Sequence, residues 1–280
     1  MTPSRLTRPL ALALAVAALA TGAGAQELRT LESSRQLHDS LATTVRVRYG
    51  AGRLSMRPMN DAQLYRMELR YDPDRVEPIH SFDPVSHHLE LGVRGEHGHI
   101  ERGRDMSMKV ELARGVPMDL TLELGATKAE LDLSGLTLDA LRLEAGASES
   151  AVRFDVPNPH PMRRLDVQVG AARFRGADLA NANAPLVTVD AGVGGVDLDF
   201  GGRWTQDVDL DIQVAMGGST IRVPADVGVR VELERAFASF DRDGLRKRGN
   251  AWVSDNWDSA EHRLRVRGSA AFGKLTIRHE

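Results

Sequence analysis

The sequence predicts an all-β protein: a single-domain β-solenoid of stacked short strands with Gly-rich corners, preceded by an N-terminal signal peptide. Two observations lead to this prediction. Polar and apolar residues alternate along many short segments, which is typical of half-buried strands. These segments also recur at a regular spacing, each interrupted by small residues, which is typical of repeat architectures.

The first 25 residues have the character of a signal peptide. Arg5 and Arg8 precede an apolar run, and Ala23 and Ala25 offer a cleavage site before Gln26. The run is shorter than the ~20 residues of a spanning helix, although an uncleaved N-terminal anchor is the alternative. We therefore expect export to the periplasm, the cell surface or the medium, with no stable membrane span after cleavage. The chain then divides into a signal peptide (1–25), a leader segment (26–42) and the solenoid domain (43–280).

Composition restricts the class of protein further. With 280 residues, 42% of them hydrophobic, the chain is long enough for one sizeable core. Removal of the signal peptide leaves a formal charge of −5 without a basic stripe, which argues against a nucleic-acid partner. Because the sequence contains no cysteine, an exported form has no disulfide bonds and depends on packing and hydrogen bonds.

One phrase recurs along the chain: an alternating strand, a corner of small residues and a second alternating strand. In residues 119–124, for example, the leucines point to one side and the polar residues to the other. A single unit is too small to bury its apolar face, whereas stacked units cover one another. The copies span residues 44–58, 119–133, 140–156, 164–179, 186–200, 207–223, 228–244 and 262–278.

The corners are best illustrated by the stretch DAGVGGVDLDF (190–200). A turn inside a stacked unit requires a positive φ or a close approach of two backbones, and glycine tolerates both. A phosphate-binding loop is the alternative, but no helix follows these glycines to direct its amide groups at an anion. We predict structural corners at Gly50, Gly52, Gly125, Gly146, Gly170, Gly192 and Gly217.

The segments between the units carry turn residues. Residues 157–161 (PNPHP) and 181–185 (NANAP) predict turns. Residues 27–41 predict either one short helix or a polar leader into the first strand. The stretch 250–260 (NAWVSDNWDSA) predicts an inserted loop that folds over the last units.

Several phrases together resemble a known family: VPMDLTLELGATKAELDLSGLTLDALRLEAGAS, VPADVGVRVELERAFASFDRDG, LRVRGSAAFGKLTI, VRVRYGAGRL and LYRMELRYDPDR. They resemble the toast-rack domain of bacterial envelope proteins, which is related to LiaF-type cell-wall-active antibiotic response proteins and to the head domains of candidate adhesins. The resemblance covers roughly residues 43–279. It implies a β-solenoid outside the cytoplasmic membrane, without cofactors or enzyme chemistry. Unlike the LiaF type, this chain has a signal-like segment and no multi-span membrane region.

Histidines form the first candidate site, because imidazole and carboxylate groups can hold a divalent metal. Their spacing matches no metal-binding motif, so solvated loop histidines are the favoured interpretation and we predict no metal site. The group comprises His80, His87, His88, His97 and His99, with Asp83, Glu90 and Glu96 nearby.

A ladder of acidic residues forms the second candidate, since stacked carboxylates can bind calcium. The calcium-binding nonapeptide repeat is absent, which favours a solvated face, partly neutralised by Arg142, Arg153, Arg173 and Arg222. The acidic residues are Asp119, Glu123, Glu130, Asp132, Asp190, Asp197, Asp199, Asp207, Asp209 and Asp211.

Aromatic residues form the third candidate, either as an exposed platform for a glycan or a protein partner, or as packing that closes the stack. The packing interpretation is favoured. The residues are Trp204, Phe237, Phe240, Trp252, Trp257 and Phe272.

These observations predict an exported, non-enzymatic envelope protein that acts as a structural or adhesin-like interaction module. Its partner is a protein or another envelope component, and exposed strand edges at the two ends permit end-to-end self-association. A regulatory role in the cell-envelope stress response is one alternative. A solenoid enzyme acting on polysaccharide is another, which requires a deep cleft with two close carboxylates.

Overall fold

The structure, a computed structural model, describes residues 28–95, 106–234 and 239–280. In these ranges the chain forms strands and one short 3-10 helix (Leu179–Ala182), which confirms the predicted all-β fold. The strands are β1 (Arg29–Gln36), β2 (Thr43–Met59), β3 (Gln63–Tyr71), β4 (Val76–Asp83), β5 (His88–Gly95), β6 (Ser107–Ala113), β7 (Pro117–Asp132), β8 (Thr137–Ala145), β9 (Glu149–Arg153), β10 (Leu165–Ala177), β11 (Leu186–Asp199), β12 (Val208–Val223), β13 (Gly228–Leu233), β14 (Ser239–Arg242), β15 (Leu245–Arg248), β16 (Ala251–Ser254) and β17 (Arg263–His279).

The predicted phrases lie side by side as parallel neighbours. We call each of them a rung, and we call the parts before and after its corner the first arm and the second arm. The central rungs are β2, β7, the pair β8 and β9, β10, β11, β12 and β17, and each pairs in parallel with the next. In this register, similar aliphatic residues lie beside one another on neighbouring strands. One such series is Leu120, Leu141, Leu165, Val187 and Leu210.

Both arms of a rung turn their apolar side chains into one core. In β7 the buried positions are Met118, Leu120, Leu122 and Leu124 before the corner, and Ala129 and Leu131 after it. The alternation thus shifts by one residue at the corner, so that each arm keeps one apolar face inward and one polar face outward. The inward side chains of both arms belong to a single buried cluster.

Stacking order differs from chain order at both ends. At one end, β2 lies between β7 on one side and β5 and β6 on the other, although β5 and β6 come between β2 and β7 in the chain. At the other end, β17 inserts between β12 and the earlier strands β13 and β14. The repeat pattern of the sequence identifies the copies but does not indicate this difference between stacking order and chain order, because every copy has the same alternation.

Antiparallel strands cover much of the two ends of the stack. β4 pairs with β5, while β3 pairs with β6 and carries β1 on its other edge. At the opposite end β16 pairs with β13, and β15 pairs with β16. The outermost strands are short, charged or interrupted by proline, as in Pro78 of β4, and such edges resist pairing with another chain.

Each end of the core is closed by an aromatic ring with an arginine above it. The guanidinium carbon of Arg35 lies 4.2 Å from the centroid of the Phe82 ring at one end. At the other end, the guanidinium carbon of Arg242 lies 3.9 Å from the Trp252 centroid. In both contacts the charged guanidinium group itself lies over the ring face, which is a cation–π arrangement.

The connections between rungs are tied together by buried asparagines. The side chain of Asn158 donates to the carbonyl oxygens of Leu138 and His160 and accepts from the amide of Leu138. In the next connection, Asn181 donates to the carbonyl oxygen of Phe154 and accepts from the amide of Arg203. These bonds satisfy backbone groups that the strands leave unpaired, so the predicted turns are structural joints.

Two segments differ from the sequence-based expectation. Residues 29–36, expected to be a helix or a polar leader, form β1 because Leu31 and its alternating neighbours pair with β3. Within residues 250–260, expected to be a loop, Ala251–Ser254 form β16, and the turn that follows this strand carries Trp257.

Candidate interaction surface

Most of the predicted corner glycines lie where two rungs approach closely. A Cβ atom on Gly125 would lie 2.1 Å from the carbonyl oxygen of Gly50, and one on Gly192 would lie 2.7 Å from that of Gly170. Gly217 has a φ of +142°, which side chains rarely allow. Gly50 differs, since a Cβ atom there would meet no atom within 4 Å. The other predicted corners are Gly52 at φ +111°, and Gly146 and Gly170, where a Cβ atom would lie 3.4 and 3.1 Å from the preceding corner's carbonyl oxygen.

The described histidines are spread over different environments. The His87 ring packs edge-on against Phe82, with 6.0 Å between the centroids, and His80 is exposed on β4. Nearby carboxylates have other partners: Glu90 bonds to Arg48 at 3.0 Å, and Asp83 accepts from Ser86 at 2.7 Å. No group of three or more potential ligands is close enough for a metal ion within the described ranges, and His97, His99 and Glu96 lie outside them.

Six of the ten acidic residues of the ladder form ion pairs with arginines that lie close by in the stack. Of the four arginines expected to neutralise the ladder, Arg153 bonds to Asp132 at 2.6 Å, whereas Arg142 bonds to Glu144. The remaining pairs could not be predicted, because the stacking order brings distant arginines into register. They join Glu123 to Arg48, Asp119 to Arg163, Asp207 and Asp209 to Arg265, and Asp211 to Arg267.

The aromatic residues divide between packing and exposure. Phe240 and Trp252 form an edge-on pair at 6.0 Å against the core, as the packing interpretation predicts. Trp204 donates to the carbonyl oxygen of Phe200 and lines a small pocket of about 430 Å³. Phe272 is an exception, with 69% of its surface exposed at the corner of β17. Trp257 is half-buried, and Phe237 lies outside the described residues.

A groove of about 740 Å³ crosses the outward face of the second arms. Its floor follows one row of residues in register on four neighbouring strands: Ser55, Glu130, Ala151 and Arg175. Ser55 and Ala151 are small, so the floor is low between the charged side chains. No ion pair joins Glu130 or Arg175 to another described residue, which leaves one carboxylate and one guanidinium group free for a ligand.

One side of the groove is a line of ion pairs. Glu111 accepts from Arg57 at 2.6 Å and from Arg66 at 2.9 Å, and Asp132 accepts from Arg153 at 2.6 Å. Partial burial opposes ionisation of Asp132, but hydrogen bonds from Arg153 and Ser134 outweigh it and lower its pKa below the usual value. This side is therefore held in place and nearly neutral.

Comparison with known proteins finds a family model that matches part of the chain. Residues 22–158 match the family described as the N-terminal domain of toast_rack, DUF2154, which confirms the resemblance seen in the sequence. The match covers just under half of the chain. No curated protein matches the chain.

Several solved structures match about nine-tenths of the chain. A "putative cell adhesion protein" from Clostridium sporogenes is 16% identical, with a TM-score of 0.48 over 91% of this chain and 100% of that one. A "putative adhesin" from Bacteroides fragilis is 10% identical, with a TM-score of 0.43 over 89% and 97% of the two chains. A "putative adhesin" from Parabacteroides merdae is 11% identical, with a TM-score of 0.38 over 92% and 98%. Within the described residues, the chain contains no helix with the length and apolar character needed to cross a membrane.

Proposed function

We propose that the protein is an exported, non-enzymatic β-solenoid that acts as an adhesin-like interaction module and binds a polar component of the cell envelope in the second-arm groove. The observation that carries this proposal is the floor of the groove, where free Glu130 and Arg175 flank the small side chain of Ala151. Export is supported by the signal-like residues 1–25.

The charges of the groove define the kind of ligand. Glu130 and Arg175 lie on strands separated by one other, so their Cα atoms are about 10 Å apart at the usual strand spacing. A ligand that presents a cationic and an anionic group at this separation can bond to both. Peptide segments and charged glycans of the envelope meet this requirement, and the volume of the groove is within the range of known binding sites.

The same geometry favours binding over hydrolysis. A glycosidase needs two carboxylates on either side of the scissile bond, one of which donates a proton. Of the acidic groups in the groove, Glu111 and Asp132 bond to arginines and Glu68 bonds to Lys109 at 3.0 Å. Among the described residues, Glu130 is thus the one acidic group of the groove without an ion pair, and a single free carboxylate does not supply the pair that hydrolysis needs.

The test is retention of a solubilised cell-envelope fraction by the immobilised protein. Ala151→Trp fills the groove without touching the core, and we expect it to reduce retention at least about tenfold. Ala140→Trp is the matched control, since Ala140 also faces outward but lies on the first arms. Equal retention by wild type and Ala151→Trp would contradict the groove as the binding surface. Release of reducing ends from envelope polysaccharide would instead support the enzyme alternative.

A further inference from the structure

Three large apolar side chains form an exposed row along the corners of neighbouring rungs. Val193, Met216 and Phe272 are 54%, 52% and 69% exposed. Val193 pairs with Met216, and Met216 pairs with Phe272, so the three lie directly beside one another. We call them the corner row. Since strands are about 4.8 Å apart, the row is about 10 Å long.

The row begins abruptly within the stack. Ala171 occupies the corresponding position in β10, and Ala126 pairs with Ala51 at the corner of the earlier rungs. The residues then increase in size from valine through methionine to phenylalanine. Steric fit between rungs explains small residues at these corners, but it does not explain large apolar ones that face water.

A strip without side chains lies next to the row, on the side of the second arms. Gly195 and Gly218 pair with each other, and a Cβ atom on either would meet no atom within 4 Å. Lys274, in register with Gly218, ends the strip and lies 3.8 Å from Asp241 of its own chain. Asp197 lies beyond the strip, two residues after Gly195. The row and the strip adjoin each other, with an acidic group near the valine end and a basic group near the phenylalanine end.

We propose that the corner row binds the corner row of a second copy of this chain, in an antiparallel arrangement about a two-fold axis at Met216. This arrangement places the large Phe272 of each copy against the small Val193 of the other, with the two methionines at the axis. It also brings Lys274 of each copy towards Asp197 of the other, so opposite charges meet twice. A parallel arrangement would instead place Phe272 against Phe272.

The size of the row sets the strength of this contact. Three side chains per copy bury far less than the roughly 800 Å² per partner of a standard interface. The dimer is therefore weak and forms at high local concentration, as on a crowded cell surface. Pairing presents two second-arm grooves in one particle, which raises the avidity for a repeating ligand.

Disulfide trapping tests the arrangement, because the chain has no native cysteine. We expect Met216→Cys to form a covalent dimer on mild oxidation, since the axis brings the two residues together. A mixture of Val193→Cys and Phe272→Cys proteins should give mainly the mixed dimer. Val85→Cys is the matched control, because Val85 is 90% exposed at the β4–β5 turn, away from the row. Dimers of Met216→Cys that form no faster than those of Val85→Cys, or a mixture that yields mainly like pairs, would overturn the proposal.

Sedimentation of the cysteine-free chain over a concentration series provides an independent readout. We expect the wild type to show a concentration-dependent dimer that Met216→Asp abolishes, while the circular dichroism spectrum stays the same. Vesicles of phosphatidylglycerol test the alternative that the corner row binds a lipid surface. A wild type that remains monomeric at all concentrations, but binds these vesicles through Met216, would assign the row to a lipid surface and overturn the dimer.

Discussion

The corner of one rung lies directly against the next: a Cβ atom on Gly125 would be 2.1 Å from the carbonyl oxygen of Gly50. Of these two glycines only Gly125 is crowded, since a Cβ atom on Gly50 would meet no atom within 4 Å. Two glycines that look equivalent in the sequence therefore differ in their structural requirement. The position that needs glycine is the one that faces the preceding backbone.

Substitution of these two glycines tests this asymmetry. We expect Gly125→Ala to lower the free energy of unfolding by about 1–3 kcal/mol, because a backbone oxygen must move to admit the methyl group. Gly50→Ala should be neutral or slightly stabilising, since it only restricts the unfolded chain. Urea unfolding of both variants measures the difference. Equal losses at the two positions would show that the close approach is not the reason for glycine.

The buried asparagine joints allow a second prediction. Asn158→Ala leaves the amide and carbonyl groups of Leu138 without partners in a buried connection. We expect the free energy of unfolding to fall by about 3 kcal/mol, because unpaired buried backbone groups are costly. Asn60→Ala is the control, since Asn60 is exposed between β2 and β3. A loss below about 1 kcal/mol would indicate that water replaces the side chain.

Calcium tests the nature of the acidic ladder. The carboxylates of Asp119, Asp207 and Asp211 bond to arginines, and a cation would have to displace those guanidinium groups. We expect millimolar calcium to leave the Tm of the protein within about 1 °C of its value in a chelator. A rise of several degrees that Asp211→Asn removes would instead identify a calcium site.

The sequence predicts those features of the fold that depend on local pattern. Alternation identifies the strands, and small residues mark the corners, because both follow from the chemistry of a few adjacent residues. The places where stacking order differs from chain order have no such local pattern. The insertion of β17 between β12 and β14 depends on which of several similar strands packs best. Such competition is decided by the assembled core and leaves no local signal in the sequence.

The candidate surfaces also combine features that local pattern predicts with features that depend on the assembled stack. Alternation predicts that Glu130 and Arg175 face outward, but their alignment across Ala151 depends on the register of three strands. For Phe272, core packing is the favoured prediction from composition alone, whereas its position at a corner leaves it exposed. The corner of β17 leaves Phe272 outside the core, so this residue is exposed despite its hydrophobicity.

Asp178 provides a prediction on pH dependence. Burial, together with the negative charges of Asp199 and Asp155, raises the pKa of Asp178 above its usual value. The folded protein therefore binds this proton more tightly than the unfolded chain does. The resulting stability is present below the unfolded pKa of about 3.9 and is lost as the pH rises through the folded pKa. We expect Asp178→Asn, which removes the ionisation, to raise the Tm at pH 7 and to leave it nearly unchanged at pH 3.5.

The backbone at this position makes asparagine a suitable replacement. Asp178 has a φ of 54°, in the left-handed region that asparagine also adopts readily. Asp155→Asn is the companion variant, because it removes one repelling charge and leaves Asp178 able to ionise. We expect it to raise the Tm at pH 7 by less than Asp178→Asn does. Thermal melts at the two pH values separate the effects, and a lower Tm of Asp178→Asn at pH 7 would mean that the carboxylate stabilises the turn.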